Sequence, residues 1–185
     1  VRARYTHGRL CSEPRLATLS LANAQVTCDR IVDVIACTNA IASISPPTQS
    51  LWAEVSGWSD LDRALEALAG GTAIAVSDGS YKDDLGSFAW IITDEQLSFE
   101  LSGTGRVPGA ARFQSPYRSE LGGVLAVLDV LLYLEREYGA RGEITLALDG
   151  ESAMKNSARY SDELKLEEKQ VDMLGAIRRS LRMSS

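Results

Sequence analysis

The chain has 185 residues, 45% hydrophobic and 24% charged, so it carries enough apolar content for a packed core at an ordinary globular charge level. Its formal net charge of -6 excludes a generally basic nucleic-acid binder. Over residues 72–185 there are 13 Lys+Arg against 18 Asp+Glu, a balance of -5, so a polyanion must be met by a local basic patch or by metal ions that neutralise the acids.

The most apolar stretch, residues 121–134, is 14 residues long and contains Asp129. A membrane-spanning helix needs about 20, so this stretch predicts a buried helix, with no membrane association. Arg2, Arg4 and Arg9 near the start are not followed by the apolar run of a signal peptide, and a first residue of Val reads as a fragment or processed product. Cys11, Cys28 and Cys37 form an odd set with no Cys-x-x-Cys pair, and His7 is the lone histidine. That usage argues against zinc and against a disulfide framework, and points to a reducing, intracellular compartment, cytoplasmic or nuclear.

Taken in chain order, residues 1–58 read as a linker or the remnant of an upstream domain, with helical spacing over 29–41 and a turn-rich close around Pro46-Pro47. Residues 59–185 read as one domain with its core over 72–182. Ser59 is placed to cap a helix through Leu61, Leu65 and Leu68, which Gly70-Gly71 ends. Residues 72–78 form a short apolar run predicted as a strand inside a covered sheet, with Asp78 at its end and on the face of Ile74 and Val76. Residues 87–93 predict a second strand and residues 97–102 a third, followed by a Gly/Arg/Pro-containing loop to Pro116.

A long helix is predicted from about Tyr117 to Tyr138, stopped by Gly139, then a fourth strand over 143–149, a short helix over 150–157 and a charged helix over 162–181. Three consecutive strands, a helix, a fourth strand and further helices define an α/β class with a mixed sheet: an antiparallel meander joined to a parallel partner by a helical crossover.

Three acids occupy positions that ordinary packing does not explain. Asp78 and Asp149 each end an apolar strand and precede glycine, and carboxyl ends of strands in such sheets are where sites gather. For Asp78 the alternative is an ordinary Asp-Gly turn. At 100° per residue Glu120 falls on the helix face of Val124, Val127 and Leu131, which must pack on the sheet, whereas Asp129 falls opposite and reads as a solvent-side acid. The alternative for Glu120 is a favourable place in the first turn, at the positive helix end. Converging carboxylates repel unless cations join them, and hard oxygen donors suit Mg²⁺ or Mn²⁺. Two such ions about 4 Å apart are a standard means of phosphodiester hydrolysis.

The segments Ala75-Val-Ser-Asp78-Gly79-Ser80, Tyr117-Arg118-Ser119-Glu120-Leu121 and Leu146-Ala-Leu-Asp149 together resemble the ribonuclease H family, in the form attached to retroelement reverse transcriptases. The acid separations, 42 and 29 residues, are slightly long for it. The resemblance spans about residues 73–181 and implies a five-stranded mixed sheet flanked by helices. It implies that Asp78, Glu120 and Asp149 are catalytic metal ligands for Mg²⁺ or Mn²⁺, as two ions. Gly79 and Ser80 would meet the RNA strand of an RNA/DNA hybrid, and Arg118 would lie near the substrate backbone, its alternative being a helix-start arginine paired with a nearby acid. The implied activity is endonucleolytic cleavage of that RNA strand, within a retroelement polyprotein and beside a reverse transcriptase domain.

The chain departs from the family where a fifth strand, a histidine-bearing loop and a last helix with a fourth acid would follow. A truncated or inactive domain serving as a structural or interaction module is therefore the rival expectation. An actin-like or sugar-kinase ATPase lobe, which also uses an early strand ending in Asp-Gly, would need glycine-rich phosphate loops, and the sequence has none evident.

Overall fold

The structure, a computed structural model, describes residues 54–159 and 170–183 in full, and the backbone of three short strands within the first 21 residues. Those strands are β1 (Arg2–Thr6), β2 (Arg9–Cys11) and β3 (Ala17–Leu21). They are followed by β4 (Glu54–Ser56), α1 (Leu61–Ala69), β5 (Ala73–Lys82), β6 (Leu85–Thr93) and β7 (Leu101–Arg106). Then come α2 (Pro116–Tyr138), β8 (Gly142–Ala147), α3 (Glu151–Ala158) and α4 (Val171–Met183). The helical spacing at 29–41, the double proline, Cys28, Cys37, His7 and the first part of the expected charged helix, with Asp162, lie outside the described residues.

The fully described strands form a mixed sheet in the order β8-β5-β6-β7-β4. β5, β6 and β7 make the expected antiparallel meander, and β8 returns parallel to β5 from Ala73↔Ile144 to Val76↔Ala147. The fifth strand differs from the expectation. It is β4, from the segment read as a linker, and it lies antiparallel to β7 at the far edge. At the opposite edge, β1 and β3 pair antiparallel with β8. No helix among the described residues is long and apolar enough to cross a membrane.

Three boundaries move, each for a local reason. β5 runs on through Asp78 to Lys82, because β6 pairs with it as far as Lys82↔Leu85. The third strand starts at Leu101, four residues later than expected. The Asp94 carboxylate takes the Ser98 N–H and hydroxyl (2.8 and 2.5 Å), which holds residues 94–98 in a turn. Its glycines mimicked a loop; at Gly103 a Cβ would lie 2.6 Å from the Trp90 ring, so glycine there serves packing. Helix α1 starts at Leu61 behind a 3-10 turn, Trp58–Asp60, that contains Ser59, and no side chain caps it.

α2 matches its expected limits. Ser115 accepts the Arg118 N–H (3.1 Å) as N-cap, and Gly139 ends the helix at φ 65. It lies on the sheet face formed by Ala73, Ala75, Phe88, Trp90, Ile92 and Leu101, and α4 packs against its other side. Each large apolar side chain closed in this way contributes about 1.5–3 kcal/mol. Because α2 is covered on both sides, Asp129 is not the solvent-side acid expected. It is half-buried against α4, accepts the Ser180 hydroxyl (3.3 Å), and burial raises its pKa to about 6. The wheel placed it opposite the sheet correctly but could not supply a second layer.

Candidate metal centre

The three acids come from three elements and converge. One carboxylate oxygen each of Asp78, Glu120 and Asp149 lies within 4.8 Å of the others. Asp78 is mid-strand in β5, and what ends near it is the parallel partner: β8 stops opposite Val76, two residues earlier. Its face is the exposed one, with Val76 at 41% exposure, rather than the core-facing side expected from alternation. The buried side of β5 is that of Ala73, Ala75 and Ser77, since α2 covers that face. Asp149 lies two residues beyond β8, in the bend that leads into α3.

Glu120 reaches the cluster from just past the first turn of α2, and its helix-face companions Val124, Val127 and Leu131 are buried as expected. α2 can come this close because residue 79 is glycine: a Cβ there would fall 2.4 Å from the Glu120 backbone nitrogen. The Gly79 N–H in turn donates to the Glu120 carboxylate. The Glu120 Oε2 is buried and has no hydrogen-bond partner among the described residues. Desolvation, then the charges of Asp149 and Asp78, raise the Glu120 pKa to about 7, with the Gly79 bond opposing.

This geometry suits a hard divalent cation. The donors are all carboxylate oxygens, they are within bridging reach of one ion, and one buried oxygen lacks the partner that burial normally demands. A cation would offset the like-charge repulsion and satisfy the orphaned oxygen together.

The other expected site residues divide. Ser80 lies on the exposed sheet face with Asp78 and lines a groove of about 540 Å³ together with Ser87, Ala89, Thr104 and Arg106. Gly79 faces Glu120 instead of that groove. Arg118 is a correction: it is 3% exposed and faces away from the groove, into the base of α2 and α4. Its guanidinium donates to both Asp172 oxygens (2.9 and 2.6 Å), to the Pro108 carbonyl (2.9 Å) and to Gln170. This fork holds the Asp172 carboxyl below the usual range and joins α2, the preceding loop and the start of α4. The alternative reading, a helix-start arginine paired with an acid, describes it. Its partner is 54 residues away and carried no local signal.

Gly150, unremarked in the sequence beyond following an acid, packs against Glu120: a Cβ there would lie 3.0 Å from the Glu120 Cγ. No family model matches the chain, and no curated protein matches it.

Proposed function

We propose that the chain is a ribonuclease H-type, metal-dependent endonuclease acting on the RNA strand of RNA/DNA hybrids. The observation that carries the reading is the meeting of Asp78, Glu120 and Asp149 at the end of a parallel strand pair, with one carboxylate oxygen buried and unpartnered. The motif order Asp78-Gly79-Ser80, Arg118-Ser119-Glu120-Leu121 and Asp149, with the meander before the helix, favours this family over other two-metal hydrolases.

In this reading the three carboxylates hold Mg²⁺ or Mn²⁺, which when bound supplies Lewis-acid stabilisation of phosphoryl oxygens and a more acidic water. Asp78 provides charge from the middle of β5 and Asp149 from the bend after β8. Glu120, anchored by the Gly79 N–H, provides the oxygen that the fold leaves unpaired. The adjoining groove, lined by Asp78 itself together with Glu54, the Ser80 and Ser87 hydroxyls and the Arg106 guanidinium, gives the cleaved strand a path to the acids.

The test is cleavage of an end-labelled RNA/DNA hybrid by the full chain with Mg²⁺ or Mn²⁺, beside single-stranded RNA and duplex DNA. The reading expects cuts in the hybrid RNA alone, abolished by Asp78→Asn. Mn²⁺ binding without any cleavage would instead favour an inactive module of the same fold. Absence of both would remove the nuclease reading.

A further inference from the structure

The groups that flank the carboxylates are joined by a bond that the nuclease reading leaves unassigned. The Asn156 side-chain amide on α3 donates to the Tyr117 hydroxyl on α2 at 2.8 Å, across 39 residues. Tyr117 stands one helical turn before Glu120 on the same side of α2. Asn156 stands at the far end of α3, whose first turn is fixed to the Asp149 bend by the Met154 N–H on the Gly150 carbonyl (3.0 Å). Gly150 in turn lies against the Glu120 carboxylate. A closed ring results: Asp149, Gly150 and α3 on one side, Glu120 and α2 on the other, the Asn156–Tyr117 bond completing it.

Two carboxylates at this separation push α2 and the Asp149 bend apart when no cation joins them. α3 is only eight residues long and buries Ala153, Met154 and Ser157 on one side, so it is a small body to hold against that force. Mg²⁺ demands oxygen positions set to tenths of an ångström. We infer that Asn156 is a positioning residue that, through Tyr117, sets the gap between Asp149 and Glu120 for the metal. The inference rests on the metal-dependent reading of the site, and it concerns affinity for the ion rather than contact with substrate.

A double-mutant cycle on the full chain tests it, using Mn²⁺ alone as the probe in calorimetric titration below the unfolding temperature. Tyr117→Phe removes the hydroxyl that accepts this bond and keeps the ring, while Asn156→Ala removes the donor. Each single variant is expected to bind Mn²⁺ about tenfold more weakly, within the range seen when outer groups that orient metal ligands are lost. The double variant is expected to be no weaker than either single, because the pair acts as one unit. Single variants within twofold of the parent, or losses that add in the double variant, overturn the inference.

Two further results separate the possible failures. A Tyr117→Phe variant with a raised KM for the hybrid and unchanged Mn²⁺ affinity would place the hydroxyl on substrate and also overturn the inference. A parent chain that binds no Mn²⁺ would defeat the metal-dependent reading itself and this inference with it.

Discussion

Two charged side chains stand two residues apart near the start of α2 and are treated in opposite ways. Arg118 is the more deeply buried, and its guanidinium is met by Asp172, Gln170 and the Pro108 carbonyl. Glu120 is half-buried between two further carboxylates, with one oxygen unpartnered among the described residues. A charge that serves the fold is completed within the fold. Glu120, left incomplete among like charges, is the one a cation would complete.

The contrast can be broken by substitution. Removing the complete member should be costly: Arg118→Ala deprives the Asp172 carboxylate and the Gln170 amide oxygen of their guanidinium donor and leaves a cavity, with an expected loss of about 3 kcal/mol. For a chain of this size that is about 6–12 °C in melting temperature, read by calorimetry without metal. Removing the incomplete member should act in reverse. Glu120→Gln relieves repulsion, so the metal-free protein at pH 8 should melt no lower than the parent, while Mn²⁺ binding and hybrid cleavage are lost. A metal-free Glu120→Gln protein that melts well below its parent would mean the carboxylate is structural after all.

The pH dependence sharpens the same point. Glu120 has a folded pKa of about 7, above its ordinary 4.5, so its neutral form is the one the fold favours. Its contribution is present in full below about pH 4.5 and is lost as pH rises through 7. Metal-free protein should therefore melt lower at pH 8 than at pH 5. Added Mg²⁺ should restore the difference at pH 8 and do little at pH 5, because metal binding requires the ionised carboxylate. A melting temperature flat across this range would remove the uncompensated charge from consideration.

The smallest effect is expected at Asp129, whose pKa burial against α4 raises to about 6 and which accepts the Ser180 hydroxyl. Asp129→Asn should stabilise the protein above pH 6 and change little below pH 4, without altering Mn²⁺ affinity. A change in Mn²⁺ affinity would show that the two acids on α2 are linked, contrary to the contrast drawn between a site charge and a packing charge.

The limits of α2 were legible because local chemistry writes them: Ser115 caps it, Gly139 accepts a positive φ, and Val124, Val127 and Leu131 repeat at helical spacing. Glu120 was legible as a member of the carboxylate cluster for the same reason, since a charge on an apolar stripe breaks a periodic pattern. Asp78 lies in the cluster, as expected, but the expectation rested on a partly mistaken geometry. The strand continues past it, and its face is the open one, because what ends at that level is β8, a strand 60 residues further along. The role of Arg118 was left open between substrate contact and structural pairing, and its partners at positions 170 and 172 decided the place of its side chain.

The sequence by itself determined the element types from α1 to α3, the α/β class with its meander, and which three acids to bring into question. Those follow from periodicity, caps and the rarity of charge at the ends of apolar runs, all of which act over a few residues. Only the tertiary structure decided which sheet face is covered, that β4 closes the far edge, that Asp129 is packed rather than solvated, and that Gly79 and Gly150 are spacers against Glu120. Each of these depends on what lies across the layer, where partners tens of residues apart set the local dielectric and the steric room, and no local pattern encodes them.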